Sequence, residues 1–219
     1  MSDSEFYKKA ANYWANIPAT IQGVLGGYGF ISDIDIEGSK LFLNHILSSN
    51  NPPDTKLALD CGAGIGRVSK NLLVPYFLKV DLVEQDKKFI NTAKQSIGEN
   101  NVKLGTLYQI GLQHFKPQKE YDVIWCQWVL GHLSDCDLIN FLERCSKALA
   151  NNGVIVIKEN IASSDEAEYD EDDSSVTRPL KVMKSIFNEA NLYLVWNDLQ
   201  AGMPEDIYPV HMFALRPAK

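Results

Sequence analysis

The chain has 219 residues, 45% hydrophobic and 22% charged, which suits one α/β domain with a modest extension and a single sizeable core. A net charge of −7 argues against the basic stripe that a nucleic-acid surface lays over phosphates, so no nucleic-acid partner is expected. No apolar run is long enough to span a bilayer, so no membrane partner is expected, and the polar start over residues 1–10 does not read as a secretory signal.

Residues 1–37, with Trp14 and the run Leu25-Gly26-Gly27-Tyr28-Gly29, stand outside any strand–helix repeat. From Leu57 onward the repeat is clear. Residues 57–60 (LALD) form a first strand, a Gly-rich turn follows, and 68–73 continue as a helix. Residues 80–83 form a second strand, 87–97 a helix, 104–108 a weaker third strand and 121–126 (YDVIWC) a strong fourth. Ser134 or Asp135 can cap the next helix, whose apolar positions Leu138, Ile139, Phe141, Leu142 and Leu149 repeat at helical spacing. Asn151, Asn152 and Gly153 end that helix, and 154–157 (VIVI) are a buried strand. Alternation of this kind predicts a parallel sheet. The end differs: a helix over 181–190, then strands over 192–196 and 208–215 joined near Gly202 and Pro204, predict an antiparallel hairpin at the sheet edge.

The four cysteines, Cys61, Cys126, Cys136 and Cys145, lack zinc-ligand spacing. They read as reduced thiols of a cytosolic or nuclear protein, and no metal is expected. The acidic stretch 165–173 fits a Lys- or Arg-bearing peptide partner as well as plain solubility.

The strongest local signal is Asp60-Cys61-Gly62-Ala63-Gly64-Ile65-Gly66-Arg67. Its glycines allow a tight turn and a close approach of ligand to backbone. The loop reads GxGxG, not the GxGxxG of dinucleotide sites, and an acid precedes it. S-adenosylmethionine carries no pyrophosphate, and its carboxylate needs a cation such as Arg67. Glu84, after the second strand, can accept from ribose hydroxyls or stand as a solvated strand-end acid. Gln127 lies where open α/β sheets hold ligands; Leu112 and Gln113 can meet an adenine or belong to an ordinary loop.

Methyl transfer to an amine needs the neutral amine, whereas a free α-amine has a pKa of roughly 7.7–8.0. A carboxylate and a histidine can divide that work, and Asp173 and His132 are the candidates. Taken singly, His132 also fits a structural hydrogen bond at a helix start, Asp173 a helix N-cap, and Trp14 a core anchor.

Together the tracts Tyr13-Trp14, GVLGGYG (23–29), DCGAGIGR (60–67), VIWCQWVLGHL (123–133), DSSV (173–176) and PEDIY (204–208), with Leu215, resemble the protein α-N-terminal methyltransferases, which recognise Xaa-Pro-Lys or Xaa-Pro-Arg N-termini. The resemblance covers nearly the whole chain, and residues 66–70 and 173–178 look most like fungal members. It implies a class I S-adenosylmethionine-dependent fold: a Rossmann-like seven-stranded sheet whose last two strands form an antiparallel hairpin, with an N-terminal helical extension. It implies that residues 1–37 cap the substrate and 38–219 form the methyltransferase domain. It implies cofactor contacts from Gly62, Gly64, Arg67, Glu84, Gln85, Asp86, Leu112, Gln113 and Gln127. It implies a peptide groove lined by Trp14, Leu25, Gly26, Trp128, Asn160, Asp170, Asp173, Ser175 and Tyr208. In that picture Asn160 fixes the first carbonyl, Leu25 and Trp128 accept the second-position proline, Asp170 and Asp173 attract the third-position cation, and Asp173 and His132 deprotonate the amine.

Precedent points to ribosomal proteins with exposed ends of this kind, and a monomer is expected. This sequence departs from relatives at Glu84 and Glu159, where Asp is common, and at His114, also usually Asp. A small-molecule methyltransferase would share the cofactor half, but a small apolar acceptor gains nothing from paired carboxylates. A binding module without chemistry would not need Asp60, Glu84, His132 and Asp173 together, and a nicotinamide dehydrogenase fits the loop and the final hairpin poorly.

Overall fold

Apolar runs set the strands and helical spacing sets the segments between them. The computed structural model describes residues 3–218. In chain order, α1 (Asp3–Asn16), α2 (Ile21–Val24) and α3 (Ser32–Leu47) precede β1 (Leu57–Cys61), α4 (Val74–Tyr76), β2 (Lys79–Val83), α5 (Lys87–Ile97), β3 (Leu104–Tyr108) and β4 (Tyr121–Gln127). Then come α6 (Asp135–Lys147), β5 (Leu149–Asn160), β6 (Glu168–Asp170), β7 (Ser175–Thr177), α7 (Leu180–Glu189), β8 (Leu192–Leu199) and β9 (Val210–Pro217).

Seven strands make one sheet in the order β3-β2-β1-β4-β5-β9-β8. β1, β2, β3, β4 and β5 run parallel, and β9 lies antiparallel between β5 and β8. The chain moves outward from β1 through β2 to β3, then returns to the other side of β1 as β4. The carboxyl ends of β1 and β4 therefore flank the point where the order reverses, which is where such sheets hold ligands. β4 is buried at every residue, as a central strand covered on both faces must be. One face packs Phe141, Leu142, Ile186 and Phe187 of α6 and α7 against Ile155 and Phe213. The other packs Phe42, Leu43 and Ile46 of α3 with Phe77 against Trp125, Val156 and Ala214.

Several elements differ from the sequence reading. The segment expected as a helix over 68–73 is a π-helical turn over Ser69–Leu73 that runs into the short α4. Leu149 does not extend α6 but begins β5, because the Tyr121 N–H donates to the Ala148 carbonyl and draws the chain straight into the sheet. Asn151, Asn152 and Gly153 are then an irregularity within β5, with Asn152 at φ 59°, and not a helix end. Part of the acidic stretch forms β6, which pairs antiparallel with β7 just beyond its end. The boundary between residues 37 and 38 falls within α3.

Glu159, near the end of β5, ties the sheet to the turn after β4. Its carboxylate accepts the backbone N–H groups of Val129 and Leu130, each at 2.8 Å. Burial pushes its carboxyl up to about 7, and burial likewise pushes Asp60 up to about 6. Between the ordinary carboxylate values and these raised ones, the folded chain binds more protons than the unfolded chain. This part of the stability is complete below the unfolded pKa values and is lost as pH rises through the folded ones. Thermal midpoints should therefore fall between about pH 5 and 8, and Glu159→Gln should make that fall shallower. An unchanged slope in the variant would contradict the assignment.

Candidate active site

The glycine loop leaves β1 between two packed layers. At Gly62, φ is 72°, and an added Cβ would lie 2.6 Å from the Cβ of Val129, so no side chain fits there. Gly64 also has a left-handed φ, 54°, but its Cβ position is open, with Val24 the nearest neighbour at 4.0 Å. One glycine thus lets the loop pack, and the other leaves space for a ligand. Asp60 anchors the loop by accepting from the Ser69 hydroxyl at 2.6 Å. Glu84, at the end of β2, accepts from the Gly64 N–H at 2.9 Å and from the Asp86 N–H at 2.8 Å. Burial raises its pKa, and these backbone donors oppose the rise.

A cleft of about 1000 Å³, counting the space at its open mouth, lies over this loop. Of the expected cofactor residues, Gly62, Gly64, Arg67, Glu84, Gln85, Leu112, Gln113 and Gln127 line it. Asp86 does not: its carboxylate accepts from Lys88 N–H and Phe89 N–H, which makes it the N-cap of α5. His114 is exposed and also lies outside the cleft.

Behind the cleft is a charge network that the sequence did not reveal. Asp35 of α3 is fully buried. Its carboxylate lies 2.7 Å from Arg67 Nη1 and 2.5 Å from Lys158 Nζ, and both of its oxygens accept from Gln127 Nε2, at 2.8 and 2.9 Å. Gln127 Oε1 in turn accepts from the Trp125 indole at 3.0 Å. Lys158 also donates to Ser39 Oγ at 2.9 Å and to Gln200 Oε1 at 2.7 Å. Burial pulls the Lys158 ammonium down to about 8, against the pull of Asp35. Two cations thus share one carboxylate. The Arg67 Nη1 group makes no aligned hydrogen bond in spite of its ion pair, which leaves donor capacity beside the cleft.

The mouth of the cleft is built from the turn after β4 and from the N-terminal segment. Trp128 sits in the left-handed region at φ 52°, a conformation costing about 1–3 kcal/mol for a bulky residue. The Arg67 guanidinium lies 5.7 Å from its ring centroid, and its indole N–H donates to Asn160 Oδ1 at 3.1 Å. That bond orients the Asn160 amide and leaves its nitrogen free to donate to an incoming carbonyl. Trp14, Leu25, Trp128 and His132 line the cleft, whereas Gly26, Asn160, Asp170, Asp173, Ser175 and Tyr208 lie outside it. Asp173 is still close enough to oppose the burial that lowers the His132 pKa and to add to the burial that raises that of Tyr13. The Tyr208 hydroxyl donates to Glu168 at 2.6 Å, which joins the loop before β9 to the acidic hairpin.

α1 closes over this mouth. Tyr7 donates to Asp137 at 2.5 Å, Lys88 donates to the Ala15 carbonyl at 3.0 Å, and the Trp14 indole donates to His132. Tyr7 and Ala10 line the cleft beside Trp14.

Comparison with known proteins decides the family. The profile of the AdoMet-dependent proline dimethyltransferases matches residues 2–216. The chain belongs to that family. The α-N-terminal protein methyltransferase 1 of Drosophila melanogaster is 47% identical over 218 residues, covering 98% of this chain and 78% of that one. The N-terminal Xaa-Pro-Lys N-methyltransferase 1 of Homo sapiens is 47% identical over 216 residues, covering 98% and 96%. A solved SAM-dependent methyltransferase of Leishmania major superposes with a TM-score of 0.89 at 39% identity, covering 96% of this chain and 83% of that one.

This methyltransferase uses S-adenosylmethionine, and its cleft fits that group: an open glycine cradle at Gly64, an unaligned Arg67 donor for a carboxylate, and Glu84 for hydroxyls. Arg67→Ala and Glu84→Ala should each weaken cofactor binding at least tenfold, about 1.4 kcal/mol, by calorimetry. Asp35→Asn should do the same and also destabilise the fold by about 3–5 kcal/mol in urea unfolding, because it strands two buried cations. Wild-type cofactor affinity in Asp35→Asn would contradict the network's role.

Proposed function

We propose that the protein methylates the α-amino group of protein N-termini that begin Xaa-Pro-Lys or Xaa-Pro-Arg after Met removal, adding one to three methyl groups. The observation that carries this reading is a cofactor cleft whose mouth is walled by Trp14, Leu25 and Trp128 and bordered by the carboxylates of Asp170 and Asp173. A second-position proline has a fixed φ and a small apolar ring, which suits aromatic walls. A third-position Lys or Arg is attracted by the acidic hairpin. The relatives named as Xaa-Pro-Lys methyltransferases support the same reading over the full chain. Ribosomal proteins with such ends, in the cytosol or nucleus, are the proposed substrates.

When bound, S-adenosylmethionine supplies a methyl group as its methyl–sulfur bond breaks, releasing S-adenosylhomocysteine. The chain's own residues do the rest. Asn160 donates to the first carbonyl of the peptide, and α1 and Trp128 shield the amine from water. Asp173 and His132 deal with the proton that the ammonium must lose before its lone pair can attack.

Peptide kinetics test this. Ser-Pro-Lys should be methylated; Ser-Ala-Lys and Ser-Pro-Gln of the same length should lose at least tenfold in kcat/KM, the size of one lost pocket or charge contact. Equal rates on all three would remove the proposed specificity.

A further inference from the structure

Two of the three walls at the mouth, Trp14 and Leu25, come from the N-terminal segment and not from the sheet. Trp14 lies in the last turn of α1, and Leu25 caps the carboxyl end of α2. Between them the chain turns at Pro18, which donates no backbone hydrogen bond and turns the residue before it away from helix. α2 rests directly on this joint. A Cβ on Gly23 would lie 2.3 Å from the Pro18 carbonyl oxygen, so only glycine lets the two segments approach this closely. Where the joint lies thus decides where both walls stand.

The joint is also a helix end with carbonyls to satisfy. The last carbonyls of an α-helix find no partner within it and carry the negative end of its dipole. The Ile17 N–H donates to the Trp14 carbonyl at 3.2 Å. α1 has no basic residue in its last turn to meet the rest. Lys88 of α5 brings the cation. Its ammonium donates to the Ala15 carbonyl at 3.0 Å and to the Ile17 carbonyl. The same ammonium lies 4.8 Å from the ring centroid of Phe89, which lines the cleft and meets the Trp14 ring edge-on with centroids 6.2 Å apart.

α5 itself gains nothing from this lysine. Lys88 is the second residue of α5, whose first turn holds no acid, and a cation there opposes the dipole of its own helix. Its favourable partners are the carbonyls of another helix end, 71 and 73 positions away in the chain. The amino end of α1 is held separately: Tyr7 bonds to Asp137 and to the Ser134 N–H, and the Phe6 carbonyl accepts from the Ser174 hydroxyl. Loss of Lys88 therefore frees the joint and leaves the first half of α1 in place.

We propose that Lys88 is a positioning residue that determines specificity. It fixes the joint between α1 and α2, and through that joint the Trp14 and Leu25 walls that meet a second-position proline. It touches none of the reacting atoms. The inference rests on the Xaa-Pro-Lys reading above.

The test uses the full-length enzyme with saturating S-adenosylmethionine and two peptides of equal length, Ser-Pro-Lys and Ser-Ala-Lys. Lys88→Met keeps the stem beside Phe89 and removes the donors, whereas Lys88→Arg keeps the charge and can reach two carbonyls. Lys88→Met should raise KM for Ser-Pro-Lys by about threefold or more, the size of a charge lost from a helix end, with kcat changed by less than about twofold. The ratio of kcat/KM for the proline peptide over the alanine peptide should fall by a similar factor, because only proline uses the walls. Lys88→Arg should restore both values. Cofactor affinity in Lys88→Met should stay within about twofold of wild type by calorimetry. Amide hydrogen exchange gives a check independent of turnover: residues 17–25 should exchange faster in Lys88→Met, and residues 3–10 should not. An unchanged proline-to-alanine ratio in Lys88→Met, unchanged exchange at the joint, or a Lys88→Arg enzyme no better than Lys88→Met would each overturn the proposal. A wild-type enzyme that treats the two peptides alike removes the Xaa-Pro-Lys reading itself, and this inference with it, before any variant is compared.

Discussion

One carboxylate, Asp35, holds the rest of the site in register. It is fully buried, and it carries Arg67 of the glycine loop, Lys158 of β5 and Gln127 of β4 at once. A buried charge is costly unless paired, and here two cations meet one anion. The surplus is positive and lies beneath the cleft beside Arg67, the polarity that a ligand carboxylate requires. The network also fixes where α3 lies. Through Gln200, which donates to the Ile34 carbonyl and accepts from Lys158, it reaches the chain between β8 and β9. The N-terminal segment is therefore part of the cofactor half of the molecule and not only a cover for its mouth.

The acceptor side is built differently, from strain. Trp128 and Ser174 both occupy left-handed backbone, and each stands next to a residue assigned a role, Gln127 and Asp173. Such positions are stable only where hydrogen bonds determine them fully. Trp128 is held by Asn160 and by the Lys158 carbonyl, and Ser174 by His132 and Phe6. Sheet ends carry residues that line the cofactor cleft, while α1 clamps the turn that carries Asp173.

Much of this was legible in the sequence, and the reasons for the exceptions are physical. Strands such as β4 are built on apolar runs, here Val123–Cys126, and Gly62 marks a position where a side chain would collide with Val129. Asp35 and Lys158 were not legible: a charged residue in a one-dimensional string looks solvated, and only the fold brings them together. The only local hint was charge set directly against apolar neighbours, Asp35 between Ile34 and Ile36 and Lys158 after Ile155-Val156-Ile157. Asp86 was expected to contact the cofactor from the resemblance, and its carboxylate caps α5, a role that only the helix start it precedes makes visible. Leu149 kept helical spacing with α6 but was captured by pairing with Tyr121, a long-range contact that periodicity does not encode. The pairing of part of the acidic stretch with β7 was hidden for the same reason, since its charges suggested a solvated loop.

The central claim is that the methyl goes to the α-amine and nowhere else on the peptide. A Ser-Pro-Lys peptide offers two amines, at its N-terminus and on its lysine. Tandem mass spectrometry after incubation with enzyme and S-adenosylmethionine locates each added methyl, and an N-acetylated copy of the peptide removes the first target. The account predicts methyl groups only on N-terminal fragments of the free peptide and none on the acetylated one. Methylation of the lysine, or of the acetylated peptide, would contradict it.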